Sequence, residues 1–194
     1  MGQGPRGRRP LTADPFFEGR ALAAAKAKRF AERDAPAKTP PAQEAARPIA
    51  MAEVGAKPHV RREATATGFL ALSAASVQRI RAGAVDKGDP LAVARVAAVM
   101  AAKRTPDLVP LCHPIPLTGV DVDLAVEDAG LRATVTVRAE YRTGVEMEAL
   151  VAVSAALLSA WDVMKPHEKD AKGQYPQTSI REIRVLEKRK GDAS

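Results

Sequence analysis

The sequence predicts an α+β sandwich, and three observations predict it. Its elements run strand, helix, helix, strand, strand, helix, strand. The two middle strands are separated only by the short turn Asp128-Ala129-Gly130, and two of the helices are apolar on nearly every side. That order is the split βαβ arrangement, βαββαβ, of a ferredoxin-like fold with one helix added.

Each element has its own justification. From Val60 to Leu72 the chain alternates loosely through Thr65, Thr67, Phe69 and Ala71, which suits a strand. Ser73 can cap a short helix with inward positions at Ala74, Val77 and Ile80, stopped at Gly83. Asp89 then supplies an N-cap and Pro90 a first helical residue for a helix reaching Arg104. Leu91, Val93, Val96, Val99 and Met100 surround that helix, so it must be covered on most sides, by the sheet or by another subunit. Val120, Val122, Leu124 and Val126 alternate in one strand, and Ala133, Val135, Val137 and Ala139 in its hairpin partner. Thr143-Gly144-Val145-Glu146 reads as a capping box opening an apolar helix that runs to about Met164. Gly173-Gln174-Tyr175-Pro176 is turn chemistry, and Ile180, Ile183, Val185 and Leu186 mark a last strand.

Residues 1–50 differ from the rest. They hold seven of the fifteen prolines and ten Lys/Arg against five Asp/Glu, so most of the net charge of +7 lies there. This stretch is expected to be a disordered basic arm, with the folded domain over 51–194. A methionine at 51 opens the patterned part; a start of translation at Met51 would be excluded by an intact mass matching all 194 residues. One cysteine rules out an internal disulfide framework and suits a reducing, cytoplasmic setting. The longest uncharged apolar run, Ala149 to Trp161, is shorter than a membrane span, and no apolar h-region follows the N-terminal arginines.

Chemistry is concentrated in a few places. Thr105 to Pro116 holds four prolines, Cys112 and His113, and should be a stiff irregular connection presenting Leu111, Cys112 and His113. A buried turn with an inert thiol would account for the same residues. Asp162 and Lys165 share one helix face one turn apart, as an ion pair or as an acid–amine pair able to move protons. Glu148 is a free carboxylate near a cleft, whereas the capping box would occupy Glu146. Lys87, Lys103 and Arg104 could join His113 in neutralising phosphates, or could simply be solvated. The glycine spacing of Gly83 to Gly88 is that of a P-loop, but Asp89 stands where the lysine belongs, so that motif is rejected. Cys112-His113 offers two neighbouring ligands with no second cluster, which is weak for zinc and gives no expectation of a metal. No strand carries the closely spaced aromatics of a nucleic-acid-binding sheet, and a nucleic-acid role would fall to the basic arm.

Taken together, Lys87-Gly88-Asp89, A-A-K-R-T at 101–105, L-C-H-P at 111–114, T-G-V-E-M-E-A-L at 143–150 and Asp162-x-x-Lys165 resemble a known family. They are similar to the motifs of the cyclic pyranopterin monophosphate synthases of molybdenum-cofactor biosynthesis, the MoaC-type proteins, over about Met51 to Lys190. The resemblance implies a lyase that rearranges a cyclised dihydro-GTP into a pyranopterin with a cyclic phosphate, releasing pyrophosphate. It implies no organic cofactor, a small-molecule partner in place of nucleic acid or membrane, and a homohexamer, a trimer of dimers, with sites at dimer interfaces. By similarity Asp162, Lys165 and Lys87 are catalytic. Leu111, Cys112, His113, Met147 and Glu148 line the substrate, with Glu146, Lys103 and Arg62 nearby. The chain departs from the family in reading Lys188-Arg189-Lys190-Gly191-Asp192 where a Gly-Gly-Lys-Ser-Gly tail is common, and in carrying Trp161 where a tyrosine is usual. A pterin- or nucleotide-binding module without turnover is the competing reading.

Overall fold

The computed structural model describes residues 49–191, so the arm expected over residues 1–50 lies outside the described residues except at its last two positions. Four strands and four helices follow in order: β1 (Val60–Ala71), α1 (Ala74–Arg81), α2 (Pro90–Lys103), α3 (Thr105–Leu108), β2 (Leu117–Glu127), β3 (Gly130–Tyr141), α4 (Glu146–Glu168) and β4 (Ser179–Lys190). The sheet order is β2-β3-β1-β4, every neighbouring pair antiparallel. This is the strand order of a ferredoxin-like sheet, with the α1–α2 region as the enlarged first crossover.

Strand periodicity sorts the two faces. Ala64, Ala66 and Leu70 of β1 and Ala133, Val135, Val137 and Ala139 of β3 are buried towards the helices. These small side chains let α4 lie close to the sheet, and Gly68 sets the limit. A Cβ there would fall 2.8 Å from Leu157 Cδ1 and from Val153 Cγ1. Filling that place with any larger residue would push α4 off the sheet. The opposite face is polar: Thr65 and Thr136 share a hydrogen bond of 2.8 Å, Arg138 bridges Glu63 and Asp121, and Arg132 grips Glu127. The hairpin turns as its residues predict. Gly130 has φ +150°, and a Cβ on it would overlap the Leu70 carbonyl at 2.0 Å.

Helix caps agree with the sequence at two sites and not at a third. Ser73 Oγ accepts from the Ser76 amide and Asp89 Oδ1 from the Leu91 amide, with Pro90 at the start of α2. The capping box at 143–146 does not form. Val145 is the N-cap residue and no side chain caps the helix, because α4 begins at Glu146 itself. Glu146 instead folds back over Gly144, where a Cβ would meet its carboxylate at 1.9 Å, and pairs with Lys188.

Two further expectations are corrected. The first four residues of the proline-rich stretch make a helical turn, α3, since Pro106 sits in its first turn where no amide donor is needed. α4 does not stop at Met164 but continues through Pro166 to Glu168. At 23 residues it is apolar enough by composition to cross a membrane, yet Ala152, Val153, Ala156, Leu157 and Ala160 are buried against the sheet and α2. α2 is apolar all round as expected. Within one chain, however, only Pro90, Ala94, Ala98 and Ala102 are buried, while Val93, Val96 and Met100 are exposed, Val96 by 60%.

Candidate active site

α4 organises the site residues by carrying a different group at each end. Near its C-terminus, Asp162 accepts two cations: Lys165 Nζ lies 2.6 Å from Oδ1 and Lys87 Nζ 3.0 Å from Oδ2. Lys165 comes from the next turn of the same helix. Lys87 comes from the loop between α1 and α2, turned by Gly88 at φ +100°. Lys87 Nζ also donates to the backbone carbonyl of Asp162 at 2.9 Å. That carbonyl is available for a reason written in the sequence. Residue 166, whose amide would normally bond to it, is proline and has no N–H. The helix thereby offers Lys87 two acceptors on one residue.

Charge follows geometry here. Lys165 first and Lys87 second, by hydrogen bond and by charge, hold the Asp162 carboxyl down at about 2, and Asp162 holds the Lys165 ammonium up. At neutral pH Asp162 is therefore an anion, able to take a proton, between two ammonium groups able to give one. Below it, Glu168 ties the end of α4 to its surroundings. It is only 7% exposed and accepts from the Ser73 amide at 3.1 Å, from Ser73 Oγ at 2.8 Å and from Thr178 Oγ1. Burial pushes its carboxyl up, but these donors outweigh burial and leave it below the usual range. One buried carboxylate thus joins the cap of α1, the end of α4 and the start of β4.

The N-terminal end of α4 is built differently. Glu148 is 3% exposed and faces a cleft of about 280 Å³ lined by Lys103, Pro106, Pro114, Ile115 and Pro116. Burial, then the neighbouring Glu146, pushes its carboxyl above the ordinary range, its own backbone amide offsetting part of this. Burial first, and Glu148 second, raise the Cys112 thiol, so this sulfur is held as SH and lacks the thiolate character of a nucleophile. His113 Nε2 lies 2.9 Å from the Ala52 carbonyl, while Leu111 and Met147 project outward. A larger cleft of about 520 Å³ adjoins the first turn of α4, with Arg62, Glu146 and Lys188 in its wall. Arg62 donates to the carbonyls of Tyr141 and Arg142, at 3.4 and 3.1 Å, and Lys188 to Glu146 at 3.0 Å.

The predicted residues therefore fall into two groups within one chain. Asp162, Lys165 and Lys87 meet at one end. Arg62, Lys103, Leu111, Cys112, His113, Glu146, Met147 and Glu148 gather around the other. Glu148 and Asp162 are fourteen positions apart on one helix, about 21 Å of helical rise. Sequence reasoning passed over Pro166, although a proline four residues after a candidate catalytic aspartate was a readable signal. It also passed over Glu168, whose partners at 73 and 178 only the fold brings near.

Residues 51–191 match the MoaC family. The chain belongs to that family. Among curated relatives, a probable cyclic pyranopterin monophosphate synthase of Thermococcus kodakarensis is 52% identical over 144 residues, covering 74% of this chain and 92% of that protein. One of Sulfurisphaera tokodaii, with the same description, is 49% identical over 138 residues, covering 71% and 91%. A protein of Methanothermobacter thermautotrophicus described as a probable cyclic pyranopterin monophosphate synthase accessory protein is 51% identical over 142 residues, covering 73% and 89%. The MoaC match takes in both ends of α4 and stops short of the basic arm.

Proposed function

We propose that this MoaC-family chain is a lyase of molybdenum-cofactor biosynthesis. It converts the cyclised dihydro-GTP, (8S)-3',8-cyclo-7,8-dihydroguanosine 5'-triphosphate, into cyclic pyranopterin monophosphate and releases pyrophosphate. The observation that carries the reading is the Lys87–Asp162–Lys165 cluster, a carboxylate anion between two ammonium donors on an exposed helix end. Such a cluster supplies both directions of proton transfer without changing the oxidation level of the substrate. In this reading Asp162 acts first as base, since its cations keep it ionised, and the lysines act as acids and as phosphate counter-charges.

A single chain separates that cluster from the binding residues by most of the length of α4. The reading therefore places the complete site between two copies, one giving Lys87, Asp162 and Lys165, the other Arg62, Lys103, His113, Glu146 and Glu148. The exposed stripe of Val93, Val96 and Met100 on α2, continued by Leu108, supports association into the family's hexamer. The single cysteine, which can form no internal disulfide, suits a cytoplasmic enzyme.

The test is to follow pyrophosphate release from the cyclised nucleotide with the wild type and with Asp162→Asn. Loss of release with retained ligand binding is expected. Wild-type turnover in the variant would remove the cluster from the mechanism.

A further inference from the structure

The connection from α4 to β4 is built more firmly than its exposed position demands. Residues 169–174 and 176–177 are exposed, yet Asp170 Oδ1 accepts from the Lys172 and Gln174 amides, both at 2.8 Å. The Asp170 amide donates to the Gln174 carbonyl and the Gly173 amide to the Asp170 carbonyl, each at 2.9 Å, with Gly173 turned at φ +74°. Outside this closed turn, Thr178 donates to Glu168 and clamps the two ends together. What the turn delivers is Tyr175, its one half-buried residue. The phenol ring stands edge-on to the indole of Trp161 on α4, with centroids 5.9 Å apart and planes at 82°. Rings meeting in this way attract beyond the area they bury.

Trp161 lies one turn before Lys165, and helical side chains lean back over the preceding turn. The Lys165 stem therefore runs along the side of α4 that Trp161 and Tyr175 cover. Asp162 first, and Tyr175 after it, hold the Lys165 ammonium up against desolvation. The lysine has little else to fix it. Its side chain is 44% exposed, its stem is flexible, and its one partner among the described residues is Asp162, at 2.6 Å. That partner is shared, since Lys87 holds the other carboxylate oxygen at 3.0 Å. The backbone gives little support either: Pro166 disfavours helical geometry at the residue before it and lacks the amide that would close onto the Asp162 carbonyl.

We propose that Tyr175 is a positioning residue for the reaction: seated on Trp161, it walls the side of α4 where Lys165 lies and keeps the ammonium over Asp162 while that carboxylate takes up its proton. Trp161 is the platform, and the bonded turn from Asp170 to Gln174 is what carries the ring to it. The role in turnover rests on the lyase reading. The effect on Lys165 does not require turnover.

The experiment compares Tyr175→Phe and Tyr175→Ala with the wild-type full chain, in steady-state pyrophosphate release and in the pH dependence of Lys165 acylation read by peptide mass. Tyr175→Ala should lower kcat about tenfold with KM held within about twofold, because a misplaced group impairs the chemical step more than binding. It should also move the acylation midpoint of Lys165 down, as the ammonium drifts from Asp162. Tyr175→Phe keeps the ring on Trp161 and should keep kcat within about twofold, its midpoint falling between the other two. Trp161→Leu removes the platform and should match Tyr175→Ala, and the two changes together should cost no more than either alone. If Tyr175→Ala does not fold, Trp161→Leu carries the comparison. An unmoved Lys165 midpoint in the folded variants overturns the proposal, whatever happens to Tm, because the turn is then only a connection. A midpoint that moves in a protein whose wild type never releases pyrophosphate would sink the lyase reading and leave the placement of Lys165 by Tyr175 standing.

Discussion

The two ends of α4 handle charge in opposite ways. At the C-terminal end the carboxylates are paired: Asp162 holds two lysines, and Glu168 accepts from Ser73 and Thr178. At the N-terminal end a buried carboxylate, Glu148, faces a cleft without a cation bonded to it among the described residues, and guanidinium groups stand without anions. On the proposed function, the difference separates preorganised chemistry from waiting recognition. A group that must move protons needs its neighbours fixed beforehand, because reorganisation would be charged to the transition state. A group that must bind a polyanion has to keep its donors uncommitted until the ligand arrives.

The comparison can be broken most forcefully at Asp162. Asp162→Asn keeps the shape and removes the base, so kcat for pyrophosphate release should fall by about 10²- to 10⁴-fold, with little change in thermal stability because the side chain is largely exposed. A smaller loss would mean that the paired end is an ordinary surface ion pair. Next comes the division between ends. Asp162→Asn and His113→Ala should each be nearly inactive, yet co-expressed they should regain activity, because a mixed pair of chains rebuilds an intact site. No recovery in verified mixed oligomers would place both ends of the reaction in one chain.

Glu148 sharpens the contrast through pH. Its folded carboxyl is raised by burial, so the native state binds the proton more tightly than the unfolded chain. Stability must then fall as pH rises from the unfolded carboxylate value through the folded one. Glu148→Gln should remove that slope and raise the urea midpoint above the carboxylate range, while weakening substrate binding. A variant with the wild-type slope would show that Glu148 is ionised without cost. For Asp162 the sign is reversed: its depressed carboxyl favours the fold above the unfolded value, and this is lost only as pH falls towards about 2. An acid limb of kcat/KM near neutrality must therefore come from another group.

The smallest effect expected is at Pro166. Pro166→Ala returns an amide donor to the Asp162 carbonyl, so the helix should gain about 1 kcal/mol or more while Lys87 loses an acceptor. A higher Tm, together with a kcat lowered about threefold and faster acylation of Lys87, is the signature. A higher Tm with unchanged kcat and Lys87 reactivity would reduce the proline to a helix irregularity.

Much of this protein was legible before any fold was known. Alternation fixed the first three strands to within a residue, while the last strand runs on through the charged residues to Lys190. Ser73, Asp89-Pro90 and Gly130 placed two helix starts and a hairpin, because caps and turns are decided by residues adjacent in the chain. The local pairing of Asp162 with Lys165 follows from helical spacing alone. The failed capping box shows the limit of such reasoning: Glu146 had a local partner available and took Lys188, forty-two residues away, instead. Strand order, the meeting of Lys87 with Asp162 and the clasp of Glu168 were likewise decided only in three dimensions. Each depends on segments brought together by burial of the sheet's apolar face, and no periodicity along a chain records which distant segment will arrive there.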